Sequence, residues 1–110
     1  IPHLIMSVHH VKSEEEYNKL KEGEGLVVVD FSASWCGPCK AIAPVYEQYA
    51  KDYPTVTLIH VDVDELEDLP DNSDVTGVPT FKFFKGGKDL GLTFSGANKD
   101  KLKATIEDNK

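Results

Sequence analysis

Apolar and polar positions along the chain fall into stretches that predict strands and helices in turn. Val8 to Val11 is a short candidate strand. Ser13-Glu14-Glu15-Glu16 then has the pattern of a capping box, with Ser13 as N-cap and Glu16 three residues on. Acidic residues in a first turn also suit the helix dipole. Tyr17 and Leu20 continue this helix, and Gly23 and Gly25 end it. Leu26 to Phe31 is a nearly unbroken apolar run, which predicts a central strand covered on both faces.

Cys39 to Tyr53 repeats with helical period through Ile42, Val45, Tyr46, Tyr49, Ala50 and Tyr53. Pro44 lies inside it and predicts a kink, a structural role only. Val56 to Val63 is a second β-branched run, and Asp64 to Leu69 reads as a short helix broken by Pro70, Asp71 and Asn72. Phe81 to Phe84 is a strand, Lys85-Gly86-Gly87-Lys88 a turn, and Leu90 to Ser95 the antiparallel return. Asn98 can cap a last helix that turns Leu102 and Ile106 inward. The order is β-α-β-α-β-α-β-β-α. Strand–helix–strand units imply parallel pairing, and the final hairpin adds antiparallel strands. The fold class is therefore α/β, with a mixed sheet between helices.

The 110 residues suit one domain, spanning 7–110 behind a short N-terminal tail, 1–6. Ile1 to Ile5 lack a positive n-region and are too short for an intact secretory signal. They read as a cloning leftover or the stump of a removed segment. Nowhere do about 18 apolar residues run together, so no membrane-spanning helix is expected.

Charge removes two classes of partner. Twelve Lys and nineteen Asp plus Glu give a formal net charge of -7, and no Arg is present. Nucleic-acid surfaces carry clustered Lys and Arg, so a nucleic-acid role is not expected. Anionic membranes are disfavoured for the same reason.

The only cysteines are Cys36 and Cys39, with two residues between them in Trp35-Cys36-Gly37-Pro38-Cys39-Lys40. A ring that short removes little entropy from the unfolded chain, so it is a poor staple. The pair follows a strand and opens a helix. There the free amides and the dipole stabilise a thiolate, so Cys36 reads as the nucleophile. Cys39, one helical turn on, can attack a mixed disulfide. Pro38 suits an early helical position. Two rival readings are half a zinc site and an inert pair. Zinc needs two more ligands, and none of His3, His9, His10 and His60 is at paired spacing with the cysteines. No metal is therefore expected.

Asp30-Phe31-Ser32-Ala33-Ser34-Trp35-Cys36-Gly37-Pro38-Cys39-Lys40 resembles the active-site segment of the thioredoxin family. Ile42-Ala43-Pro44, Val61-Asp62-Val63-Asp64, Gly77-Val78-Pro79-Thr80, Phe83-Phe84-Lys85-Gly86-Gly87 and Ser95-Gly96-Ala97-Asn98-Lys99 follow in the family's order. Ser32, where bacterial members often have a second Trp, gives the segment a eukaryotic, cytosolic look. The resemblance implies a central mixed five-stranded sheet flanked by four helices. It implies a protein-disulfide reductase acting on disulfide-containing targets, recycled by an NADPH-dependent thioredoxin reductase. It further implies a cytoplasmic monomer with no bound cofactor.

The resemblance also assigns residues. Cys36, Cys39 and Asp30 are the catalytic set, with Asp30 as a buried acid that takes the proton of Cys39. From pattern alone, Asp30 reads instead as a strand-end carboxylate facing water. Trp35, Gly37, Pro38, Val78, Pro79 and Gly96 form a shallow groove for extended target segments, with Val78–Pro79 cis. Trp35 alone has a second reading as a core aromatic, and a trans bond is the commoner X-Pro state. Lys40 tunes local charge. His60 replaces a common bacterial Lys and reads either as a half-buried strand histidine or as a group coupled to Asp30. Pro70 and Ser73 depart from the family pattern and predict a shortened third helix. Two other functions remain open: oxidation or isomerisation by the same cysteines, and a binding module in which they are dispensable.

Overall fold

A computed structural model describes residues 7–110. The expected tail, 1–6, and with it His3, lies outside the described residues. In chain order the elements are β1 (His9–His10), α1 (Glu14–Lys21), β2 (Leu26–Ser32), α2 (Gly37–Asp52), β3 (Thr57–Asp62), β4 (Thr80–Lys85), β5 (Lys88–Asp89), β6 (Phe94–Ser95) and α3 (Lys99–Asn109). The sheet order is β1-β3-β2-β4-β5, with β6 also paired to β4. β1, β3 and β2 are parallel, β4 is antiparallel to β2, and β5 and β6 are antiparallel to β4.

The apolar run of β2 explains its place. All seven of its residues are buried. Leu26 and Val28 face one core with Leu58, Tyr46, Phe81, Phe83, Leu102 and Ile106. Val27, Val29 and Phe31 face the other, with Tyr17, Ile59, Val61 and Phe84. The period of two therefore places Asp30 on the first face, the one that carries α2 and α3.

The helix starts follow their caps. Ser13 Oγ accepts from the Glu16 amide at 3.1 Å, a cap worth about 1 kcal/mol. Glu16 returns the contact one residue early, accepting from the Lys12 amide at 2.9 Å. Asn98 Oδ1 accepts from the Lys101 amide at 3.0 Å. Helix α2 runs through Pro44 without interruption.

Two details differ from expectation. In place of a helix over 64–69, turns lead to a 3-10 turn over Pro70–Asn72. Asp62 Oδ1 accepts from the Asp64 and Glu65 amides, and this side-chain turn competes with helix formation. Pro70 holds Leu69 extended (φ -64°, ψ 125°) and begins the 3-10 turn instead of ending a helix. Among the described residues three helices thus flank the sheet instead of four. The second difference is the return strand, which splits into β5 and β6 and gives six strands instead of five. Gly86 (φ 60°) and Gly87 (φ 80°) make the tight turn that pairs Lys85 with Lys88. Asp89 Oδ1 then accepts from the Gly91 amide at 2.8 Å and turns the chain out of the ladder before Phe94 rejoins it.

Candidate active site

Cys36 is the N-cap of α2, and its sulfur accepts from the Cys39 amide at 3.1 Å. Cys36 and Cys39 are joined as a disulfide, with Cα atoms 5.3 Å apart. Both are nearly closed to solvent and pack with Ala33, Val63 and Val78. The Cys36 sulfur lies 3.6 Å from the Val78 carbonyl. The helix N-terminus that the spacing predicts is therefore present at the sulfur itself.

The surrounding residues come from three loops. Trp35 is 69% exposed, which settles it as a surface residue. Gly37 and Pro38 are exposed at the start of α2, Val78 is half-buried, and Pro79 is buried behind a cis Val78–Pro79 bond. The Gly96 amide donates to the Pro79 carbonyl at 2.9 Å, which ties the two loops together. Gly96 has φ +104° with open space where a Cβ would sit, so conformation, not crowding, favours glycine there. Sequence reasoning gave no role to Asp64, whose Oδ2 accepts from the Trp35 indole N–H at 2.9 Å. The acidic run after β3 was the available signal.

Asp30 is 2% exposed, which overturns the reading of a water-facing strand end. Burial pushes its carboxyl up to about 7, and its Oδ1 has no hydrogen-bond partner among the described residues. A carboxylate without a cation in an apolar site gains affinity for its proton. Asp30 stands opposite His60 in the β2–β3 register. His60 is half-buried, with its ring 4.7 Å from that of His10. Burial, and then the neighbouring His10, pull its pKa below the usual histidine value. Among the described residues no three His, Cys, Asp or Glu side chains converge as a metal site, and no helix is long and apolar enough to cross a membrane.

Comparison with known proteins supplies the relatives of this chain. The family profile described as thioredoxin matches residues 7–108. The thioredoxin of Sus scrofa is 52% identical over 86 residues, covering 78% of this chain and 81% of that protein. Thioredoxin-3 of Dictyostelium discoideum is 45% identical over 105 residues, covering 96% of this chain and 99% of that one. Among solved structures, the Plasmodium falciparum thioredoxin superposes with a TM-score of 0.84 at 43% identity, covering 91% of this chain and 97% of that chain. A thioredoxin from Nicotiana alata gives 0.86 at 36% identity, covering 94% and 93%.

Proposed function

The chain belongs to the thioredoxin family and is a protein-disulfide oxidoreductase working by dithiol–disulfide exchange, and we propose the following roles for its residues. In the reduced protein the Cys36 thiolate, held by the amides at the start of α2, attacks one sulfur of a target disulfide. A Cys36–target disulfide forms and the first target thiolate leaves. Cys39 then gives up its proton and attacks the Cys36 sulfur. The Cys36–Cys39 bond forms, the second target thiolate departs, and two electrons have passed to the target.

Asp30 is the general base for the second step. A carboxyl with a pKa of about 7 is half ionised at neutral pH, the condition under which a base both accepts and releases a proton. Trp35, Gly37, Pro38, Val78, Pro79 and Gly96 receive an extended segment of the target, with the backbone of Val78 free to pair with it. The protein works as a cytoplasmic monomer without a resident cofactor, and an NADPH-dependent thioredoxin reductase returns Cys36 and Cys39 to thiols.

One observation carries this reading: a disulfide at a helix N-terminus beside an exposed Trp35. The test is insulin disulfide reduction with NADPH and a thioredoxin reductase, wild type against Cys36→Ser. Turnover is expected in the wild type and none in the variant. A wild type inert with both compatible reductases and dithiothreitol overturns it in favour of a binding module.

A further inference from the structure

A hollow of about 200 Å³ opens on the α2 face of the sheet, lined by Ser32, Ala33 and Ser34 at the end of β2, His60 and Asp62 on β3, and Cys39, Lys40 and Ala43 on α2. The groove beside Trp35 and Val78 serves Cys36. This hollow reaches Cys39 by a separate route. It is large enough for several waters at about 30 Å³ each. Its one imidazole belongs to His60. Asp30 lies opposite His60 in the strand register but does not line the hollow, and it is 2% exposed. A proton handed to Asp30 therefore has no direct outlet of its own.

We propose that His60 is the acceptor through which the proton of the Cys39 thiol reaches solvent, across the hollow the two residues share, when the mixed disulfide is resolved. The proposal rests on the reading of Cys39 as resolving thiol. The proton leaves Cys39 Sγ by way of Asp30, the base of this step, and binds a nitrogen of the neutral imidazole opposite it in the strand register. The freed thiolate forms the Cys36–Cys39 bond while the target sulfur departs with the electron pair. His60 then releases the proton to water. Neutrality at the working pH is what lets it accept, and a pKa below the usual value secures that.

The groups that face His60 set where this acceptor titrates. From β1, the His10 ring lies against it, tilted by 41° with centroids 4.7 Å apart, and the His10 Nε2 lies 3.4 Å from Glu47 Oε1 of α2. Asp30 flanks it on β2, and Lys40 shares its hollow from α2. Burial and His10 lower its pKa most, Lys12 lowers it further, and Asp62 and Glu65 work upward.

The experiment follows the two steps separately by rapid mixing with a disulfide peptide, using the fluorescence of the sole tryptophan, Trp35, as reporter. Cys39→Ser stops the reaction at the mixed disulfide and gives the rate of the first step. His60→Gln is expected to leave that rate unchanged. It should slow resolution at pH 7 by about tenfold, short of the roughly 10²-fold of a sole positioned base because Asp30 remains. The inflection of the resolution rate due to His60 should also vanish. His10→Gln keeps His60 and removes a charge that lowers its pKa, so the acid limb should move to higher pH. Unchanged pH profiles in both variants, or equal slowing of both steps, overturn the proposal. Failure of Cys39→Ser to trap a mixed disulfide overturns instead the assignment of Cys39 on which it rests.

Discussion

Among the described residues the two faces of the sheet each bury one charged side chain, and they treat it in opposite ways. Asp30, on the α2 face, is 2% exposed, and its Oδ1 has no partner among the described residues. Lys82, on the α1 face opposite Val29, is 5% exposed. Its ammonium donates to Asp74 Oδ1 at 2.6 Å and lies 5.8 Å from the centre of the Phe31 ring. Nearby, Asp71 accepts from the Tyr17 hydroxyl at 2.7 Å and the Lys21 ammonium at 2.9 Å. A buried ion given its counter-charge holds structure together, because removing either partner strands the other. A buried acid left alone costs stability and gains an adjustable proton. The pattern of pairing therefore separates a tether from a working group on two adjacent strands.

The largest effect should come from removing the unpaired acid. The carboxyl of Asp30 rises from 3.8 to about 7 on folding, so the folded state holds its proton more tightly than the unfolded chain. Its penalty is absent below the unfolded value, grows as pH rises from about 4 to 7, and is complete above that. Asp30→Asn is expected to stabilise the fold at pH 8 by up to about 4 kcal/mol, with the gain vanishing near pH 4. Urea titrations at the two pH values measure this. Disulfide reduction by the same variant should slow without being abolished. A variant no more stable than wild type at pH 8 would break the contrast between the faces.

The paired lysine should respond in the opposite direction. Asp74→Asn leaves Lys82 buried without its counter-ion. The carboxylate end of the pair is 71% exposed, so water screens part of the loss. About 2 kcal/mol of destabilisation is expected, below the 3–5 kcal/mol of an enclosed pair. Lys82→Met removes the charge instead and fills the same space, so its stability should stay near that of wild type. A thermal melt of the two variants side by side sharpens the comparison, since only the half-broken pair should suffer.

Sequence showed the local patterns far better than the contacts between distant segments. The Cys36–Cys39 motif, the Ser13 and Asn98 caps and the unbroken run of β2 are local patterns, and each stands where its chemistry placed it. Asp30 was assigned as buried by family likeness, because alternation within an all-buried strand does not separate the faces. Lys82 alternates between Phe81 and Phe83 as an outward residue would, and Asp74 in the preceding loop and the Phe31 ring hold it inside. The hollow behind Cys39 joins residues from three elements, so no local pattern marks it. The 3-10 turn at Pro70 depends on side-chain turns at Asp62 and on Asn72 Nδ2 donating to the Val63 carbonyl at 3.1 Å. Composition cannot distinguish those from a short acidic helix.

Tyr46 tests whether the α2 face is strained as a whole or only at Asp30. Its hydroxyl lies 3.1 Å from the Val28 carbonyl and 2.8 Å from the Ile59 carbonyl, bridging β2 and β3. Its pKa is raised well above the usual value by burial first and by Asp30 second, so the hydroxyl keeps its proton for these carbonyls. Tyr46→Phe keeps the ring and removes the donor. A loss of about 1 kcal/mol is expected, the ordinary net value of a hydrogen bond. The loss should be the same at pH 5 and pH 8, because no charge changes. A loss that grows with pH would mean that the hydroxyl also supports the ionised Asp30.

The smallest effect separates the two acids by sign. Burial works upward on Asp71, but the hydrogen bonds from Tyr17 and Lys21 outweigh it and hold the carboxyl below its usual range. A lowered carboxyl contributes stability above the unfolded value and loses it as pH falls through the folded one. Asp30 does the reverse over a higher range, so wild-type stability should rise from pH 8 toward about 5 and then fall in acid. Asp71→Asn keeps both acceptor contacts and removes only the charge. It should lower stability at pH 7 by about 1 kcal/mol or less, since the pair is partly open to water. The acid fall below pH 4 should become shallower, while the limb between pH 5 and 8 keeps its slope. Asp30→Asn should flatten that upper limb and leave the acid fall alone. If either substitution altered both limbs, the paired and unpaired acids would be titrating as one coupled network, and the two faces would not be independent.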